Sequence, residues 1–379
     1  MTESKRNSNM ELLRVVAMLM IVAYHIYCHC VGFQLTDTDT MYRLHNGWFS
    51  QPLFYKKLLI LTAVAPMGQI GNAIFLIISG YFMVGKERNI DIIKTSKKLL
   101  FQQGFAAVLL TVCSTALYRC TDGLYIKLID INFFNQMAWY VGYYFLVILI
   151  AYLFLNSFLA KQDRKQYNRF LIVTFAVTQF SWAAGILSGL SGGLATVLTG
   201  VFLYSLGGYI KRYDPYGNIR LPVIFAVIAT IYGLLCVATY DTAINKIVTY
   251  TWKEDTSVFK QSIPGVDNNY IIPIVTGVAL FEIFKRMSIP RSRLINYLGA
   301  STFMVYLIHD NSFFYSLWYT QDWITLLYYH PLKYICKHAL WTFGTFAIGV
   351  VAYSLYLLLA KLAKKYAHIF LKKDSQCSV

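Results

Sequence analysis

Apolar residues gather along this chain in windows of about 17 to 25 positions, the length that marks a helix crossing a bilayer. Ten such windows fall near 11–33, 58–83, 99–118, 137–158, 170–187, 193–210, 221–239, 270–284, 301–318 and 339–360. The 270–284 window is short for a span and is expected to lengthen, tilt or re-enter. The pattern predicts an all-α fold, a polytopic transmembrane helix bundle of about ten spans. No segment between the windows is large enough for a soluble domain, so residues 1–379 read as one membrane-embedded domain with a basic cytoplasmic tail over 361–379. The longest connector, Tyr240 to Asn269, carries Asp241, Glu254, Asp255 and Asp267 around Pro264-Gly265 and is expected as an outer loop. Gly185, Gly189 and Gly193 recur every four residues, a spacing that lets helix backbones approach closely. Nothing resembles a solenoid repeat, a Walker loop or a dinucleotide-binding glycine fingerprint.

Composition agrees with the windows and adds a direction. With 57% hydrophobic and 14% charged residues, and mean hydropathy +0.49, the chain is too apolar for a soluble domain of this length. Placing the N-terminus inside puts roughly 23 of the basic residues on the cytoplasmic side against about 10 outside, which favours an even number of spans with both termini cytoplasmic. The expected location is a bacterial cytoplasmic (plasma) membrane. The formal charge of +16 mostly records that topology: there is no soluble basic face for nucleic acid, and anionic lipid headgroups or an anionic cytoplasmic substrate are the partners it suits. Seven cysteines, an odd number, lie mostly in or beside apolar windows and give no disulfide framework. His25, Cys28, His29 and Cys30 do not read as a metal cluster, since adjacent helix positions diverge by about 100°, and no metal or permanently bound cofactor is expected. The first window is long, carries ionisable residues and lacks a small-x-small exit, so it stays as an anchor.

Within that first window lie Arg14 and His25. Eleven residues at about 100° each return the two side chains to within roughly 20° of one another, on one stripe of one helix. Either residue facing lipid costs at least a few kcal/mol, so the stripe should face protein or a wet cavity, and it marks a functional site. Glu11, one turn earlier, is placed to pair with Arg14.

Three further patterns keep this one company: Ile74 to Tyr81, ending Ser79-Gly80-Tyr81; Trp139-Tyr140 opening the fourth window; and Tyr297-Leu298-Gly299 with Ser301, followed by Tyr306-Leu307-Ile308-His309. In this order and spacing, over about residues 5 to 360, they resemble the acyltransferase-3 family of integral membrane acyltransferases, whose hallmark is an Arg, ten residues, then a His in the first span, and later a Phe-rich stretch ending in Ser-Gly-Phe or Ser-Gly-Tyr. The resemblance implies a bundle of about ten helices, a cytoplasmic acyl-CoA donor such as acetyl-CoA, and an acceptor sugar presented in the membrane or outside it.

That chemistry suits the residues. Moving an acyl group from a thioester to a hydroxyl needs a base, and imidazole titrates near working pH. His25, roughly 22 Å along its helix, is the candidate base; Arg14, about 16 Å nearer the cytoplasm, suits the donor phosphates, with Glu11 holding it. His309 is the second catalytic candidate, and Tyr306 shares its face. Ser79, Gly80, Tyr81, Trp139 and Tyr140 complete the expected substrate-positioning set, although Ser79-Gly80 suits helix packing equally well and Trp139-Tyr140 an aromatic belt. His29, His45, His330, His338 and His368 receive no role. Glu282 is expected to pair with Lys285. The expected activity is O-acyl transfer to a surface polysaccharide or its lipid-linked precursor. A sugar transporter or flippase using Glu11, Arg14 and His25 as a relay is the rival, and the chain lacks the matching broken-helix halves common in transporters.

Overall fold

The computed structural model describes residues 7–35, 52–85, 91–121, 139–179, 192–253, 262–263 and 271–376. Among the described residues there are helices and turns and no strand. α1 (Ser8–Ile26) is opened by Asn7, whose side chain accepts from the backbone N–H groups of Asn9 and Met10, two donors that a first helical turn leaves without partners. It passes unbroken through a π-helical turn, Tyr27–Val31, to Gln34. α2 (Pro52–Val64) and α3 (Met67–Met83) share the second window and part at Ala65-Pro66, because proline removes a helical donor and crowds the preceding turn. There follow α4 (Ile92–Cys120) and α5 (Trp139–Ile150), the latter prolonged through a second π-helical turn to Lys161. Next come α6 (Arg164–Gln179), α7 (Gly192–Tyr213), α8 (Leu221–Lys253), α9 (Ile271–Arg286) and α10 (Arg293–His309). The last elements are α11 (Ser312–Tyr319), α12 (Trp323–Tyr329) and α13 (Pro331–Gln376).

Among the described residues, seven helical stretches are long and apolar enough to cross a bilayer: Ser8–Gln34, Lys56–Met83, Ile92–Cys120, Trp139–Lys161, Gly193–Tyr213, Leu221–Asn245 and Pro331–Tyr366. Each coincides with one of the ten windows. The other three windows fall on shorter described helices, α6 and α9 with 16 residues each and α10 with 17, about 25 Å of helix against a hydrocarbon core of about 30 Å. The 301–318 window is divided, because α10 begins at Arg293, runs straight through Gly299 and stops before Asp310, and α11 starts afresh after Asn311 caps its first turn. The expected outer loop from Tyr240 is helical as far as Lys253; 254–261 and 264–270 lie outside the described residues. The basic tail is likewise helical, continuing α13 to Gln376.

Packing places α1 at the centre, against α3, α9, α10 and α13, with α7 closing on the far side of α3. The backbones of α3 and α7 touch: a Cβ on Gly80 would lie 1.8 Å from the Tyr204 carbonyl oxygen, and one on Gly207 would lie 2.1 Å from that of Ile77. Of the expected glycine spacing, Gly185 and Gly189 lie outside the described residues and Gly193 faces open space, so the close approach is made elsewhere. Polar side chains join the same helices. Asn156 donates to the Met83 carbonyl at 3.1 Å and accepts from the Tyr204 hydroxyl at 3.1 Å, and the Tyr167 hydroxyl donates to the Ser205 carbonyl at 2.8 Å. In lipid, where apolar burial gives helices little reason to associate, such contacts and close packing hold the bundle. The rim is apolar outward. Leu100, Phe101 and Val112 on α4, Phe225 and Val237 on α8, and Leu340, Phe343 and Val351 on α13 are all exposed. Only 11% of the α8 window is buried, against 61% for the first span, so α8 belongs to the lipid-facing rim and α1 to the interior. The chain is a membrane protein.

Two juxtapositions orient the site. Gly68 lies against Tyr24, and Gly71 against Ala17 and Ile21, so α3 runs antiparallel to α1. Gly299 lies against Glu11 while His309 meets His25, so α10 runs alongside α1 in the same direction. The ends of α1 and α10 therefore arrive together.

Candidate active site

Where those ends meet, His25 Nδ1 lies 2.9 Å from His309 Nε2, with the rings stacked at 5.0 Å between centroids. His309 is fully buried, and its Nδ1 lies 2.8 Å from the Val305 carbonyl oxygen. A carbonyl only accepts, so His309 Nδ1 carries the hydrogen and its Nε2, in the neutral ring, is an acceptor. The hydrogen between the two rings then sits on His25 Nδ1. That leaves the lone pair of neutral His25 on Nε2, the nitrogen turned away from the pair.

The group that completes the cluster is Asp310, the residue that ends α10. Its Oδ1 lies 3.5 Å from His25 Nδ1 and accepts from the Tyr315 hydroxyl at 2.5 Å. Tyr315 in turn stacks on His29, 3.9 Å between centroids and 12° between planes. The π-helical turn begins two residues after His25 and contains His29, and π turns of this kind gather at functional sites. A fourth histidine braces α1 there: His338 of α13 donates from Nε2 to the Ala23 carbonyl at 3.1 Å and accepts at Nδ1 from the Tyr334 hydroxyl at 3.2 Å.

From His309 a file of aromatic rings leads toward α3. Tyr306 lies 5.9 Å from the His309 ring, Tyr140 lies 5.5 Å from Tyr306, and Tyr144 lies 6.4 Å from Tyr140. The Tyr144 hydroxyl is 3.1 Å from Ser79 Oγ. Tyr140 Oη is buried and has no hydrogen-bond partner among the described residues. Four segments far apart in sequence, the ones that carry the four patterns, thus converge on one file of side chains.

Other predicted residues sit elsewhere or act otherwise. Arg14 pairs with Glu11 at 2.9 Å, as the spacing predicts, but the two differ in setting: Arg14 is 29% exposed, whereas Glu11 is buried in the notch left by Gly299. Glu11 is thus part of the α1–α10 contact, and Arg14 is the member that faces out. Gly80 is packed against the Tyr204 backbone, which makes it a packing position. Ser79 Oγ donates to the Phe75 carbonyl at 2.8 Å and has the Tyr144 hydroxyl as its other hydrogen-bond neighbour, with no base beside it among the described residues. Tyr81 lies near the opposite end of α3, with the Lys211 ammonium 4.7 Å above its ring, roughly 20 Å from the His25 level by helical rise. Trp139 is 48% exposed and stacks on Tyr143, as a belt residue would. A cleft of about 410 Å³ between α6, α7 and α9 is lined by Leu171, Phe175, Phe202 and Ile274; none of its lining residues belongs to the His25 cluster.

Sequence reasoning missed Asp310, Tyr315 and the stacking of His29. Asp310 was legible: a carboxylate inside an apolar window is a functional candidate by default, and it follows His309 directly. Tyr315 and Val305 carry no such mark, since a tyrosine or a backbone carbonyl becomes informative only once the helix break brings it back to the cluster.

A family model described as an acyltransferase domain, that of the acyltransferase-3 family, matches residues 7–360. Neither the curated proteins nor the solved structures contain a match to the chain.

Proposed function

Because the chain belongs to the acyltransferase-3 family, we propose that this membrane acyltransferase moves an acyl group, acetyl in the first instance, from cytoplasmic acyl-CoA to a hydroxyl of a cell-surface polysaccharide or its lipid-linked precursor, with His25 as general base. The bilayer would be a bacterial plasma membrane, crossed about ten times with both termini inside. The observation that carries the reading is the Val305–His309–His25 hydrogen-bond chain, which commits the hydrogen of His25 to Nδ1 and so leaves Nε2 able to take a proton.

In the proposed step the acceptor hydroxyl gives its proton to His25 Nε2 as its oxygen bonds to the thioester carbonyl carbon. The carbonyl becomes an oxyanion, and buried Tyr140 Oη is the donor offered to it. As the oxyanion collapses, the carbon–sulfur bond breaks and the imidazolium returns its proton to the departing thiolate. The products are an ester and free CoA thiol, and His25 is restored. Asp310, 3.5 Å away, steadies His25 while it is positively charged, and His309 keeps the ring in register. Arg14, on the same stripe and about 16 Å toward the cytoplasm, meets the donor phosphates, while the long pantetheine arm carries the thioester to the histidines.

The test is direct. Purified protein supplied with acetyl-CoA and the acceptor glycan releases thiol, and His25→Ala stops the release while the protein stays inserted and folded. Movement of an unmodified sugar across sealed vesicles with no thiol released overturns the reading in favour of transport.

A further inference from the structure

His25 and His29 stand four residues apart, so on a helix they project from one face, and the structure sets their rings 5.5 Å apart. Asp310 approaches from α10. One ligand atom from each of the three lies within 4.8 Å of the others. Divergence of adjacent helix positions argues against a cluster of His25 with Cys28 and Cys30, and Cys30 indeed points its Sγ to the Tyr315 carbonyl instead. It does not touch the i, i+4 histidine pair once a carboxylate from another helix joins it.

We propose that His25, His29 and Asp310 form a binding site for a divalent transition-metal ion of the zinc class, and that an ion bound there stops acyl transfer by taking the catalytic imidazole.

The donor set selects the metal. Two imidazoles and one carboxylate suit zinc, copper or nickel, whereas magnesium and calcium prefer sites made of oxygen. The spacing suits it too: at bonds of about 2.1 Å, tetrahedral ligand atoms stand about 3.4 Å apart, and His25 Nδ1 already lies 3.5 Å from Asp310 Oδ1. The groups that orient the ligands are also in place. Tyr315 donates to the carboxylate and stacks on His29. His309, whose Nε2 is 2.9 Å from His25 Nδ1, donates its other nitrogen to the Val305 carbonyl, the outer-shell pattern that metal-binding histidines show, and so stands ready as a fourth ligand. The His25 side chain keeps 12% of its surface exposed and His29 is partly exposed, while Asp310 is buried, so an ion would enter along the imidazole side. Binding at Nδ1 takes the lone pair of that nitrogen, so the hydrogen that His25 shares with His309 moves to Nε2, and Nε2, already protonated, can no longer take the acceptor's proton. The binding stands on the donor set alone; the inhibition rests on the reading of His25 as the base.

The experiment uses the full chain in detergent, with Co²⁺ as a visible-band probe, Zn²⁺ as its competitor, and label carried from acetyl-CoA into polymer by membranes containing the protein as the activity. The expected result is one ion per chain, loss of transfer as the site fills, and at least about tenfold weaker binding in His29→Ala, which keeps basal transfer and becomes insensitive to zinc. His29→Gln serves if the alanine variant does not fold, and Asp310→Asn gives the same loss of affinity from the other side. Wild-type affinity in all these variants, or bound zinc with undiminished transfer, overturns the proposal. Full transfer by His25→Ala, with binding still lost in His29→Ala, instead sinks the general-base reading and leaves the metal site standing.

Discussion

Two buried carboxylates, Glu282 on α9 and Asp310 at the end of α10, show how one chemical group serves opposite purposes. Glu282 is 1% exposed, and both its oxygens are taken by permanent cations: Lys285 Nζ at 2.7 Å and Arg286 at 3.2 Å. Lys285 also reaches Asp214 at 2.5 Å, and Arg286 donates to the carbonyls of Tyr216 and Ile219. The network ties α9 to the connector between α7 and α8. Asp310 is 7% exposed and faces a phenol and an imidazole. Its cationic partner exists only while His25 holds a second proton, on Nε2. A carboxylate saturated by guanidinium and ammonium fastens two elements; one facing a titratable ring has its field available during turnover.

The comparison breaks if the two sites answer alike when they are mutated. The largest effect is expected at the imidazole: His25→Ala should lower acyl transfer by about 10²- to 10⁴-fold, the usual contribution of a general base, while the melting temperature in detergent stays near wild type. Glu282→Ala should do the reverse. It leaves Lys285 and Arg286, whose side chains are 16% and 20% exposed, with too little counter-charge; a fully buried broken pair costs about 3–5 kcal/mol and this partly exposed one less, so thermal melting and membrane abundance fall while the rate per folded molecule holds. A slow but fully stable Glu282→Ala would show that the inner network takes part in chemistry and would erase the distinction drawn here.

Asp310→Asn sharpens it. In triads where the carboxylate alone fixes the histidine tautomer, losing its charge costs about 10⁴-fold. Here the Val305–His309 chain fixes the tautomer of His25, so only the electrostatic support of the imidazolium is lost. A fall of about 10²-fold in kcat is expected, about 2.7 kcal/mol, with KM for acetyl-CoA little changed because Arg14 lies far away. A loss as large as that of His25→Ala would mean that Asp310, and not His309, sets the ring.

The same contrast explains what could be read from the sequence. The Arg14/His25 stripe and its partner His309 were legible because ionisable residues inside apolar windows are few and costly, so each one points inward. The Glu282–Lys285 pair was legible because both lie on one helix at i, i+3. Windows gave seven long apolar helices where they belong, yet they ran α10 and α11 together, since hydropathy does not register the capped break at Asp310-Asn311. Gly80 was expected at the substrate and Gly299 stood only as part of a pattern; each is a notch for a neighbour, the Tyr204 backbone and Glu11 respectively. Which backbone a glycine admits is a property of the partner helix, and no local pattern carries it.

The smallest effect on stability, and the most discriminating in sign, belongs to Tyr140. Its ring is packed among Tyr143, Tyr144 and Tyr306, and its buried hydroxyl lacks a hydrogen-bond partner among the described residues. A buried donor left unmade is a cost of about 1–3 kcal/mol, so removing the oxygen while keeping the ring should leave Tyr140→Phe at least as stable as wild type. If the hydroxyl meets the developing oxyanion, the same variant should lose roughly 10²- to 10³-fold in kcat, as removal of one such donor does elsewhere. A lock residue of the Glu282 kind loses stability when its polar atom is removed; a poised one gains stability and loses rate. Tyr140→Phe with both properties unchanged would place the phenol in neither class and withdraw it from the mechanism, and a drop in melting temperature would show that it has a structural partner after all.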